Sequence, residues 1–109
     1  MVETPTTRCL SFIGTATNII SGKWSFLVLS QLYTGSKRFN QLQRALNNIS
    51  SKALTNSLRQ LESAGMVQRQ VYPTVPVTVV YSLTDKGIDF QYVLREMNNW
   101  GERWLSEEE

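Results

Sequence analysis

Histidine is absent from this 109-residue chain, and cysteine occurs only once, as Cys9. The first absence removes the usual general base of an active site and the commonest metal ligand. The second rules out an internal disulfide and leaves too few soft ligands for a zinc site. There is also no nucleophile elbow and no phosphate-cradling glycine loop. No metal and no cofactor is therefore expected, and the chain is not expected to be an enzyme. Asp85 and Asp89 read as helix-start residues, explained by capping and the helix dipole. No apolar run approaches the roughly 20 residues that span a bilayer, so no membrane partner is expected. Met1 to Thr7 lacks the basic and apolar regions of a secretory signal. With a single thiol, this points to the cytoplasm. What remains is an ordinary globular composition, 41% hydrophobic and 18% charged, enough for a single domain over 1–109.

The formal net charge of +2 conceals a strong asymmetry. Between residues 36 and 69, Lys37, Arg38, Arg44, Lys52, Arg59 and Arg69 face Glu62 alone. From residue 70 onward the balance reverses, with Lys86, Arg95 and Arg103 against seven carboxylates. A basic block in the middle of the chain suits a polyanion, with a merely solvated face as the plainer alternative.

Residues 8–20 carry Phe12, Ile13, Ala16, Ile19 and Ile20 at helical spacing. Lys23 to Tyr33 is apolar around most of its circumference, which predicts a central buried helix stopped by Gly35. Phe39 to Leu46 predicts a short helix ended by Asn47 and Asn48. Ser50 or Ser51 then caps a helix that runs to Ala64 and closes at Gly65, with Leu54, Leu58 and Leu61 as its inner seam. Two short helices joined by a tight turn over 38–65 make a helix-turn-helix. Past Gly65 the period changes to two. Val67 to Val71 and Val77 to Leu83 alternate around Tyr72-Pro73-Thr74-Val75-Pro76, a hairpin over 66–83 in the place of a wing. Thr84 then starts a final helix over 84–105. The expected class is α+β, mostly α: a winged helix-turn-helix with helices at both ends.

The helix 51–64 carries the chemistry. Opposite its leucine seam stand Ser51, Lys52, Thr55, Asn56, Arg59 and Ser63, with no carboxylate before Glu62. A helix needing only solubility usually mixes glutamates with lysines. Here the side chains match base edges instead: Arg or Lys for guanine, Asn for adenine, a Thr methyl for thymine. Lys37, Arg38 and Gln41 precede or open the first helix of the pair, where cations contact phosphate without reading sequence. Arg69, like Arg44, serves equally well as a phosphate contact or a surface ion-pair residue, and Thr74 at the wing suits a sugar-phosphate edge. Double-stranded DNA is the expected partner.

Phe90, Val93, Met97, Trp100 and Trp104 repeat at three and four residues along the last helix. Together with Phe12, Ile13 and Ile20 they exceed what the central helix can cover. This apolar surplus predicts a homodimer through the segments 8–20 and 84–105, the alternative being a monomer with one larger core. Two-fold proteins read palindromic half-sites, which fits the DNA reading.

Several segments now resemble a known family. Gly22-Lys23-Trp24, Arg38-Phe39-Asn40-Gln41-Leu42, Ile49-Ser50-Ser51-Lys52-Ala53-Leu54 and Leu58-Arg59-Gln60-Leu61-Glu62-Ser63-Ala64-Gly65 are similar to ordered motifs of the HxlR-type winged-helix regulators, as are Tyr81 to Gly87 and Trp100-Gly101. The resemblance covers about residues 11–104. It implies homodimeric, MarR-like transcription regulators, usually repressors, whose helix matching 51–64 enters the major groove. The family's redox-sensing members carry a cysteine where this chain has Ser11; Cys9 lies two residues earlier and is followed by Leu10. Cys9 is the one candidate for redox sensing, and the expectation is that it is not an obligatory switch. The residues name no effector. The rival function is a winged helix used for protein–protein contact without specific DNA binding, which the basic block and the carboxylate-poor helix face argue against.

Overall fold

A computed structural model describes the backbone over residues 7–19 and 22–105, and side-chain surroundings over 12–18 and 22–105. Ile20 lies outside the described residues, and of Cys9 only the helical backbone is described.

The first apolar stripe forms helix α1 (Thr7–Ile19), and the apolar segment after it forms α2 (Ser25–Leu32). Lys37–Arg38 is a two-residue strand, β1, leading straight into α3 (Phe39–Ala45), which is followed by α4 (Ser51–Ser63). The alternating segments become β2 (Val67–Tyr72) and β3 (Thr78–Leu83), and the chain ends in α5 (Asp85–Asp89) and α6 (Gln91–Leu105). The strands make one antiparallel sheet in the order β1-β3-β2. The hairpin pairs Val67 with Leu83 and Tyr72 with Thr78, while Lys37 and Arg38 oppose Tyr81 and Val80.

Val28, Leu29 and Leu32 of α2 meet Leu42, Leu46, Ile49, Leu54, Leu58, Leu61, Met66 and Val67 in one core. The leucine seam of α4 is thus turned inward as its spacing requires, and burial of such side chains is the main favourable term holding the helix-turn-helix together. The central helix is shorter than the expected Lys23–Tyr33 and is only partly enclosed, since Leu27 is exposed.

The expected continuous helix over 84–105 is two helices. Thr84 caps the first, its hydroxyl accepting from the Gly87 N–H at 3.1 Å. The break falls at Phe90. In an unbroken helix the Gly87 carbonyl would take the N–H of Gln91; here it receives the Tyr33 hydroxyl at 2.7 Å. Phe90 and Leu94 pack against the core at this joint, and α6 then departs with none of its residues buried.

Burial, and secondarily the negative charge of Asp89, raise the Tyr33 pKa above its ordinary value. A folded pKa above the unfolded one adds stability that is full below about pH 10 and lost as pH climbs through the higher folded value. Unfolding midpoints in denaturant should therefore fall above about pH 10 in the native chain. In Tyr33→Phe the fall should be shallower. Equal slopes in the two proteins would dismiss the contribution of this hydroxyl.

Candidate nucleic-acid interface

The DNA-facing candidate is held by polar groups at the turn between α3 and α4. Asn47 and Asn48 adopt left-handed backbone angles, φ 58° and 60°, which asparagine tolerates better than most residues. Of the two serines that could cap α4, Ser50 does so: its hydroxyl accepts from the Ala53 N–H at 3.1 Å. Gln43 spans the turn, its Nε2 donating to the Ile49 carbonyl at 2.9 Å and to the Ser51 hydroxyl at 3.2 Å. Gln43 is absent from the expected site residues. Its only sequence signal is a polar residue on the flank of α3 nearest the turn.

With Leu54, Ser57, Leu58 and Leu61 buried, α4 exposes Ser51, Lys52, Asn56 and Arg59, and half-exposes Thr55. Thr55, Leu58, Arg59 and Glu62 of α4 join Arg69 and Tyr81 of the hairpin around a polar cleft of about 400 Å³. The sheet register explains this meeting, because Arg69 lies directly opposite Tyr81. Among the described residues, none of the six cations of the basic block has a carboxylate partner. That face is thus predominantly positive, with Glu62 the one carboxylate at the cleft, as suits a phosphate-binding surface.

Other expected contact residues have structural work as well. The Gln41 side-chain oxygen accepts from the Arg38 N–H at 2.8 Å, closing the start of α3. Lys37 Nζ reaches the Thr34 hydroxyl at 2.7 Å. Thr74 builds the wing tip: its hydroxyl donates to the Pro76 carbonyl and lies 2.8 Å from that of Thr78. Arg38 borders a smaller cleft against Pro76 to Val79 of the wing. Arg44 stands exposed in the last turn of α3.

The profile of the HxlR-like helix-turn-helix family matches residues 19–109. The chain belongs to that family. An HTH-type transcriptional regulator of Synechocystis is 46% identical over 91 residues, 84% of this chain and 67% of that protein. Among solved structures, a MarR-family regulator from Enterococcus faecalis superposes with a TM-score of 0.85 at 33% identity, covering 98% of this chain and 97% of its own. The reduced transcriptional regulator YodB of Bacillus subtilis gives 0.79 at 33% identity, covering 94% and 96%. YodB has also been solved diamide-treated and quinone-bound.

In this HxlR-like chain the helices at the two ends leave a large apolar surface uncovered. Trp100 is 56% exposed and Trp104 63% exposed, and Val93, Met97, Phe12 and Ile13 are exposed with them. Tyr92, Val93, Glu96, Met97 and Trp100 line an open concavity on α6. A second groove of about 500 Å³ runs where Ile13, Ala16 and Thr17 of α1 approach Phe26, Phe90 and Met97. Phe90 differs from the rest of the expected dimer stripe, since it is half-buried against the chain's own core. No described helix is long and apolar enough to cross a membrane.

Proposed function

We propose that this HxlR-like regulator is a homodimeric, sequence-specific repressor acting in the cytoplasm, which reads a palindromic operator in double-stranded DNA with α4 in the major groove. The observation that carries this reading is the exposed face Ser51, Lys52, Asn56 and Arg59. It is polar and cationic, neither Lys52 nor Arg59 has a carboxylate partner among the described residues, and the helix presenting it is pinned by Ser50 and Gln43. Lys52 and Arg59 take guanine edges or phosphates, Asn56 adenine, and Thr55 a thymine methyl. Lys37, Arg38, Arg69 and the wing around Thr74 flank α4 and contact the backbone, which sets register. A repressor of this kind acts by occupying its operator. The exposed stripe on α1 and α6 supplies the two-fold contact. Cys9 has no obligatory part, because Ser11 stands where the family's sensing thiol belongs.

Arg59→Ala and Lys52→Ala test the assignment in a DNA-binding titration at one fixed salt concentration. Loss of a base contact should weaken specific binding by about 1–3 kcal/mol and relax sequence preference, whereas loss of a phosphate contact should lower the salt slope by about one. Both variants should unfold like the native chain, since neither side chain is in the core. Native affinity in both would reject α4 as the reading helix and favour a protein-binding winged helix.

A further inference from the structure

On the flank of α4 away from the wing, one side chain reaches toward the helix at the other end of the chain. Gln60 Nε2 donates to the Asn18 carbonyl at 2.8 Å. Asn18 is the penultimate residue of α1, in the last turn, where helix carbonyls take partners from outside the helix. The Gln60 amide is also closely confined. A Cβ added to Gly22 would lie 3.3 Å from Gln60 Oε1 and 3.1 Å from the buried Ser25 hydroxyl, so glycine there leaves just the room the amide occupies.

The side chains of α1 from Phe12 to Asn18 are exposed, and α1 meets the body along an open groove. The bond from Gln60 is a direct tie between α1 and α4. In a two-fold assembly built on α1 and α6, the separation of the two α4 helices depends on how each is held to those end helices. Palindromic half-sites one turn of DNA apart demand that this separation be held near 34 Å.

We propose that Gln60 is a positioning residue that holds α4 at a set orientation to α1, and through it sets the spacing at which the dimer reads two half-sites. This rests on the reading of the chain as a DNA-binding dimer.

Gln60→Leu keeps the bulk and removes the donor, whereas Gln60→Lys keeps a donor and suits a helix C-terminus. Two measurements separate this proposal from the function it rests on. Hydrogen exchange needs no DNA: residues 12–18 should exchange faster in Gln60→Leu than in the native chain, with the core of α4 unchanged and Gln60→Lys native-like. On DNA, the preference for a full palindrome over a single half-site should fall about tenfold in Gln60→Leu, the scale of one hydrogen bond, while half-site affinity holds. Gln60→Lys should retain the preference. Unchanged exchange over α1 overturns the proposal whatever the DNA result. So does an equal loss on half-site and full site, which would mark damage to α4 itself. A native chain that binds no DNA, yet shows the exchange difference, would instead reject the DNA-binding reading and leave the Gln60 anchor standing.

Discussion

Gly87→Ala is expected to destabilise the protein by about 3 kcal/mol or more, a large part of the roughly 5–15 kcal/mol that holds a typical domain folded. Gly87 is buried in α5, and a Cβ there would lie 2.1 Å from the Met66 carbonyl oxygen. Neither side can give way easily. The Met66 carbonyl accepts from the Thr84 N–H at 3.0 Å, and the Gly87 carbonyl receives the Tyr33 hydroxyl. The obstacle is backbone, with Leu83 Cδ2 a further 3.2 Å neighbour. Relief requires α5 to lift from the end of α4, which breaks the contact seating the last two helices on the helix-turn-helix. Equilibrium denaturation should show a much lower midpoint or the loss of a cooperative transition. Stability close to native would mean that α5 does not lie this near Met66.

Trp100→Glu is expected to turn a dimer into a monomer while the fold survives. No residue of α6 is buried within the chain, and Val93, Met97, Trp100 and Trp104 form its exposed apolar face. At roughly 25 cal/mol per Å² of apolar area, covering these side chains on two subunits is worth several kcal/mol. A glutamate at position 100 would leave an unpaired charge in the contact. It would also stand four residues from Glu96, which lines the same concavity, so like charges would repel along the helix. Sedimentation at micromolar concentration should give a dimer for the native chain and a monomer for the variant, with matching helix content. A monomeric native chain, or a variant that stays dimeric, would remove the interface from α6.

The elements of the winged helix were legible because each rests on local chemistry. Period-3.6 seams placed α1 and α4, period-2 alternation placed the hairpin, and the residues that end α3 are two asparagines with positive φ. The exposed polar face of α4 was legible for a related reason: once Leu54, Leu58 and Leu61 are turned inward, helix geometry leaves no other face for Lys52, Asn56 and Arg59.

Other features depend on partners distant in the chain. Lys37–Arg38 is too short and too charged to read as a strand, and becomes one only because the backbone of Tyr81 and Val80 lies beside it. At the break near Phe90, the Gly87 carbonyl is met by a tyrosine 54 residues earlier in the chain. Gln41 and Thr74 have the composition of contact residues, yet their side chains also serve the start of α3 and the wing tip. Gln43 and Gln60 look like ordinary surface glutamines in the sequence. Their roles exist only after the turn closes and α1 meets α4, since a hydrogen bond between side chain and distant backbone leaves no trace in periodicity. The sequence alone thus determined which faces are apolar, which is basic and where the chain turns, all of them local properties. Tertiary structure decided which polar side chains hold the framework, because that choice belongs to groups the fold brings together.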